Sequence, residues 1–510
     1  KLHQGTVEAA NNVTDWLGTI WMTSVFGAYI ADTFLGRFWT FIIASLIYLS
    51  GMILLTLSVS IHPLKPAPCS AAAACEKATT LQLGVFFAAL YTLTLGTGGT
   101  KPNISTIGAD QFDEFDVREK AHKLSFFNWW LFSVFFGTLF ANTFIVYIQD
   151  NVGWSFGYGI PTIGLAISIV IFLAGTPFYR HKPISGSPVT KMARVVVAAV
   201  RNWNVVVPSD SDQLYELDSD VYTKGMHRIE STSTLRCLNK ACVKTNSTGK
   251  WGLCSVTEVE ETKQMMRMIP ILVLTFIPST IWAQANTLFI KQGTTLDRHI
   301  RSFKIPPASL SALVTIGMLV SIVLYDRCFV KILRRFTKNP RGITLLQRIG
   351  IGMTIHIALM VVACFIDRYR LQVAKAKGVA ENGHQLPLSI FILLPQFLMM
   401  GVADAFIEVG KLEFFYDQAP ESMKSLGTAY SMVSLGAGNF ISSFILATVA
   451  RLTKRNGHEG WILNNLNESH LDYYYALLAI LASINLCLFL IVTRFYSYKA
   501  EISGSMRLLE

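Results

Sequence analysis

The chain has 510 residues, of which 52% are hydrophobic and only 15% charged. A soluble chain carries about 25% charged residues, so a water-soluble globular domain is excluded. The net charge of +11 suits a membrane protein with basic loops and does not point to nucleic acid.

Taken in order, apolar segments fall at roughly 13–34, 38–60, 83–109, 127–149, 154–176, 266–290, 306–330, 349–367, 387–410, 426–450 and 471–496. Each is near the 20 residues that a bilayer requires. The composition, with 33 Phe and 10 Trp, therefore predicts an all-α membrane protein with eleven spans. A polar connection at 177–263 divides them, five before and six after. Large polytopic bundles are commonly built as two equivalent half-bundles. The division predicts a first half at 1–176, a linker at 177–263, a second half at 264–498 and a tail at 499–510. Five against six predicts that the first of twelve helices lies outside this sequence, which starts at Lys1.

The Arg327–Arg348 cluster and the basic tail put the linker and tail in the cytosol, although the Lys/Arg excess among short loops is slight. Residues 1–12, the Cys69–Cys75 loop and 451–470 then lie outside, where Cys69 and Cys75 can pair. Asn12-Val-Thr and Asn467-Glu-Ser are sequons there, for which unmodified asparagine is the preferred reading. In the linker, Ser187–Trp203 reads as a helix with Pro188 in its first turn and a valine-rich face, lying on the inner membrane surface. The stretch 208–220 is acidic and expected to be loose. Cys237, Cys242 and Cys254 lack paired zinc spacing and read as structural.

Several polar groups interrupt the apolar spans. The stretch Leu83–Phe112, LGVFFAALYTLTLGTGGTKPNISTIGADQF, holds Gly96, Gly98, Gly99, Lys101 and Pro102. A lysine deep in a membrane helix costs about 3 kcal/mol on insertion scales, so it is retained where it faces a wet cavity or a carboxylate. The alternative is a lysine near a helix end that snorkels to the surface. The glycines let another helix approach closely, and Pro102 removes one backbone hydrogen bond. In GAYIADTFLGRFWT, Gly27–Thr40, Asp32 and Arg37 bracket a tight loop, either a latch at the cytosolic face or a turn that fixes topology. In LLPQFLMMGVADAFIEVGKLEFF, Asp404, Glu408 and Lys411 share one helical face. Carboxylates there are functional candidates, whereas a Glu408–Lys411 pair reads best as structural. Gln284 and Asn286 either line a cavity or bond a neighbouring helix. Tyr91 and Trp129 either shape a pocket or pack.

These motifs resemble one family throughout. GAYIADTFLGRFWT is similar to the loop signature of the major facilitator superfamily in the form used by proton-coupled peptide transporters. GTGGTKPNISTIGADQFDE resembles the signature of the plant nitrate and peptide transporter family. FFNWWLFSVFFG matches the next signature but carries Phe135 where the family usually has asparagine. QGTTLDR, FKIPPASLS, LLQRIGIG, LEFFYDQAPESMKSLGTA and GWILNNLNESHLDYYY continue the likeness over nearly the whole chain. It is nearest to the branch that includes the stress-induced peptide transporters.

The resemblance implies the major facilitator fold and proton-coupled symport of di- or tripeptides by alternating access. Nitrate is second, and plant hormones or other small metabolites third. A non-transporting sensor on the same fold is a further reading. No cofactor other than protons as coupling ion is expected, and no metal. An enzyme is not expected, since there is no His-Glu-x-x-His and no serine elbow. The family's Glu-x-x-Glu-Arg motif is absent from residues 1–34. By resemblance Lys101 pairs with one of those glutamates and with a substrate carboxylate, which ties it to proton coupling. Asp404 stands where peptide-carrying members have a glutamate for the peptide amino group. Trp282 stands near the histidine of a nitrate-carrying member, and an indole cannot be a protonated anion ligand. The expected substrate contacts are thus Lys101, Asp404, Gln284, Asn286, Trp282 and Tyr91, with Asp32 and Arg37 as a cytosolic gate. The bilayer and a small molecule are the expected partners. The plasma membrane is the expected location and the vacuolar membrane the alternative.

Overall fold

The computed structural model describes residues 4–498 apart from 67–77, 113–116, 181–185, 187, 209–212, 218–228, 245–250, 302, 338–341, 380–384, 455–459 and 497. The first half comprises α1 (Thr6–Ile30), α2 (Gly36–Ser60), α3 (Thr80–Ala109), α4 (Val117–Phe140) and α5 (Trp154–Ala174). The linker carries α6 (Pro188–Arg201) and α7 (Val256–Arg267). The second half comprises α8 (Ile269–Leu274), α9 (Phe276–Ala285), α10 (Leu288–Gly293), α11 (Ser311–Leu324), α12 (Val330–Thr337), α13 (Leu345–Ala376), α14 (Leu394–Gln418), α15 (Lys424–Thr453) and α16 (Leu471–Arg494). Two short strand pairs, Leu296–Asp297 with Leu386–Ser389 and His299–Ile300 with Phe303–Lys304, tie loops together.

Among the described residues nine helices are long and apolar enough to cross a membrane, and one bent pair, Val256–Leu274 with Phe276–Gly293, adds a tenth. One of the nine, Thr6–Ser60, has 55 residues. At 1.5 Å per residue it is far longer than a bilayer, so it holds two spans and the count returns to eleven. The break is a π turn at Ala31–Leu35 closed by Gly36 at φ +74°, a left-handed conformation that favours glycine.

The halves repeat one packing scheme. In the first, α3 packs on α2 and α1, and α2 on α5. In the second, α14 packs on α13 and α11, and α13 on α16. The second half adds α9, packed against α15 and α16; among the described residues no first-half helix takes the equivalent place. The halves meet where α1 runs along α15, with Gly18 against Phe440 and Gly436, and where α4 meets α11. The α4 side is joined by the Tyr147–Phe303 stack, at 5.1 Å between rings, on the face opposite the linker.

The sequence predicts one helix over 266–290, and the structure breaks it into α8, α9 and the start of α10, the first break falling between α8 and α9. Pro278 has no N–H for the carbonyl of Leu274, four residues back. Asn485 Nδ2 on α16 donates to that oxygen at 2.9 Å, so the bend is satisfied by a side chain. The linker also differs from expectation. The inward face of α6 (Val195, Ala198, Ala199) is buried against Leu214, Leu238, Ala241, Cys242, Cys254 and Val259, forming a small core of its own. Within the stretch read as loose, Leu214 is buried and Glu216 accepts from the Thr257 amide and hydroxyl at 2.9 Å each. Arg194 pairs with Glu258, and Asn202 Nδ2 donates to the Lys240 and Gly252 carbonyls. Burial pushes the Cys242 and Cys254 thiols up, as suits structural cysteines. Cys69, Cys75 and the tail 499–510 lie outside the described residues. Asn467 is 1% exposed and accepts from Arg370, so it is not a glycan acceptor in this fold.

Candidate functional site

The glycines of α3 work as the sequence reading requires. A Cβ on Gly96 would lie 2.4 Å from the Tyr48 backbone of α2, and one on Gly99 2.4 Å from the Ala44 Cβ. On the other side, a Cβ on Gly27 of α1 would lie 2.1 Å from the Gly98 carbonyl. The stripe thus wedges α3 between α1 and α2. Pro102 does not end the helix, which runs on to Ala109.

One turn beyond the glycines, the half-buried Lys101 turns its Nζ onto the face of Trp21 on α1, 3.1 Å from the ring centroid. Trp21 in turn meets Trp282 of α9 edge-on, with centroids 6.4 Å apart. Lys101, Trp21 and Trp282 therefore form a chain across the seam between the halves. Lys101 lies eight residues, about 12 Å, inside the end of α3, too deep for simple snorkelling. Among the described residues Nζ has no carboxylate partner. A cation over an aromatic face gains about 0.5–2 kcal/mol, less than the several kcal/mol that desolvating an ammonium costs. The arrangement leaves the charge available to an anion.

Asp404 does not share that space. Its side chain is buried, 3% exposed, between α14 and α13, with the carboxylate Oδ1 3.7 Å from His356 Nε2. That distance is within ion-pair range but beyond a hydrogen bond. The sequence reading missed His356, although a lone histidine in GIGMTIHIALMVVAC is itself a signal. Glu408, one turn further along α14, keeps 19% of its side chain exposed and pairs with Lys411 at 2.8 Å. Lys411 is fully buried, and the Ser279 and Ser434 hydroxyls lie 3.5 and 3.3 Å from its Nζ.

The remaining expected residues separate. Gln284 is 1% exposed and donates to the Thr280 carbonyl and to Ser442 Oγ of α15 at 3.0 Å, so it joins helices rather than lining open space. Asn286 and Trp282 are half-buried at the end and middle of α9, and Tyr91 is 43% exposed. Trp129 is 67% exposed.

At the linker face, Arg37 lies 3.5 Å from Asp32 but makes its stronger contact with Asp110 at the end of α3, where Nη1 reaches both carboxylate oxygens at 3.0 and 2.7 Å. Asp110 was not singled out, because its partner is 73 residues away in the chain. The thiols and the imidazoles form no metal-ligating cluster among the described residues.

A model of the POT family matches residues 38–462. The chain belongs to the POT family. It is therefore a multi-pass membrane transporter with the major facilitator fold, and not an enzyme. Protein NRT1/PTR FAMILY 5.2 of Arabidopsis thaliana is 63% identical to this transporter over 515 residues, spanning 100% of the chain and 88% of that relative. Protein NRT1/PTR FAMILY 8.3 of the same plant is 43% identical and spans 98% and 86%. Among solved structures, an auto-inhibited POT family peptide transporter superposes with a TM-score of 0.69 at 19% identity, over 96% of this chain and 89% of that one. The POT family transporter PepTSo gives 0.67 at 19%, over 96% and 91%. At such identity these two establish the common fold.

Proposed function

We propose that this transporter is a proton-coupled symporter that takes di- and tripeptides by alternating access. The observation that carries the reading is Lys101, an ammonium in a membrane helix, laid on Trp21 at the seam of the halves with no acidic partner among the described residues. A peptide carboxylate supplies the missing counter-charge. Trp21 and Trp282 flank the position of the bound backbone. The amino end of the peptide goes to the acidic face of α14, where the partly exposed Glu408 is the accessible carboxylate; Asp404 is reached only if His356 moves. Alternation breaks contacts at one face while the other holds, with Arg37, Asp32 and Asp110 as the latch on the linker side. Protons are the coupling ion, and the plasma membrane is the location.

Nitrate is the second reading, because a lone lysine binds any small anion. The test is uptake of a labelled dipeptide into proteoliposomes under an inward proton gradient, with nitrate and plant hormones as competitors. Accumulation above equilibrium that an unlabelled dipeptide abolishes and nitrate does not is the expected result. Competition by nitrate alone transfers the reading to nitrate.

A further inference from the structure

The helices around Asp404 carry more charge than the pairs there neutralise. On α14, Glu408 is matched by Lys411 at 2.8 Å. On α13, Arg348 is matched by Glu413 at 3.4 Å, donates to the Ala405 carbonyl at 3.0 Å and lies 4.3 Å over the Tyr325 ring at the end of α11. From α9 and α15 come the hydroxyls of Ser279 and Ser434, which face Lys411. What remains is Asp404, 3% exposed, beside His356, 1% exposed. Among the described residues neither ring nitrogen of His356 makes a hydrogen bond, and neither does Asp404 Oδ1.

A lone carboxylate in that setting costs several kcal/mol, and an unsatisfied neutral imidazole costs more again. One added proton, held by either group, cancels the unmatched charge. A second leaves the cluster positive. The pair is therefore a site for one proton, and it lies on the second half, apart from Lys101 on the first.

We infer that His356 and Asp404 together bind a single exchangeable proton, and that this is a coupling proton of the transport cycle. This rests on the reading of the protein as a proton-driven symporter. The proton passes between Asp404 Oδ1 and His356 Nε2, with no bond formed or broken other than those to hydrogen. Its residence on the pair governs whether Asp404 is a charged or neutral face of α14.

The first test needs no substrate. The purified protein is titrated potentiometrically over about pH 5 to 8, the range in which histidine titrates. Asp404→Asn and His356→Gln should each bind about one proton fewer than the wild type, and the double variant about one fewer, not two, because a coupled pair titrates as a unit. Unchanged uptake in Asp404→Asn, or additive loss in the double variant, overturns the shared site. The second test compares gradient-driven accumulation of a labelled dipeptide with counterflow exchange at equal pH on both sides. The single variants should lose accumulation and keep counterflow. Accumulation retained in both overturns the coupling role. Counterflow lost in both also overturns it, since the pair would then serve folding or substrate binding. A wild type that shows counterflow but no gradient-driven accumulation refutes proton-driven symport itself, and leaves the titration to judge the pair.

Discussion

Three cations in the membrane helices have contrasting surroundings, Arg370 and Lys411 fully buried and Lys101 half-buried. Arg370 on α13 is fully buried; it donates to Asp367 at 2.8 Å, to Asn467 at 3.1 Å and to the Leu466 carbonyl at 2.8 Å. Asp367 accepts in addition from Gln292 at 2.7 Å and from the Asp472 amide at 3.0 Å. Arg370 and both carboxylate oxygens of Asp367 thus have partners, and the knot ties α10, α13, α16 and the 461–470 loop into one end of the second half. Lys411 is nearly as well satisfied. Among the described residues Lys101 has only the face of an indole. A closed network fixes structure, because moving any member exposes the rest. A charge left open adds little to stability, which supports the proposal that Lys101 receives a ligand.

That contrast yields graded tests. Arg370→Ala should have the largest effect on folding. It strands Asp367 in a dry site, which costs about 3–5 kcal/mol. Little monodisperse protein should survive solubilisation, and a melting temperature near wild type would show that the knot is not structural. Gly96→Val comes next, since its side chain cannot fit 2.4 Å from the Tyr48 backbone. Overpacking of this kind costs about 1–3 kcal/mol, and a thermal-shift assay should report it. Asn485→Leu leaves the Leu274 carbonyl at the α8–α9 bend without its donor, a loss of about 1–3 kcal/mol. Full stability in that variant would mean that water replaces the side chain.

The sequence carried the spans well because the bilayer rewards only long apolar helices. The glycine stripe beside Lys101 and the Asp32–Arg37 contact were likewise legible from spacing. The rest depends on contacts between distant segments. The pairing of Arg37 with Asp110, the Trp21 face beneath Lys101 and the His356 neighbour of Asp404 all join residues on different helices, and no local pattern encodes them. The linker failed for a related reason. Its valine-rich helix looks amphipathic at a membrane surface, but that face is covered by later segments of the chain, from Leu214 to Val259. The α8–α9 break was legible in principle from Pro270 and Pro278, yet an apolar run outweighs two prolines in a hydropathy reading.

The most direct test of the account is Lys101→Ala, measured at once for melting temperature and for gradient-driven uptake. With no ion pair to lose among the described residues, the variant should lose no more than about 1 kcal/mol of stability, because the gain of about 0.5–2 kcal/mol on the Trp21 face is offset by the cost of desolvating the ammonium. Its accumulation of dipeptide should fall to the level of empty liposomes. A variant that accumulates substrate like the wild type, or one that unfolds as Arg370→Ala is expected to, would contradict the claim that this lysine is held open for a ligand.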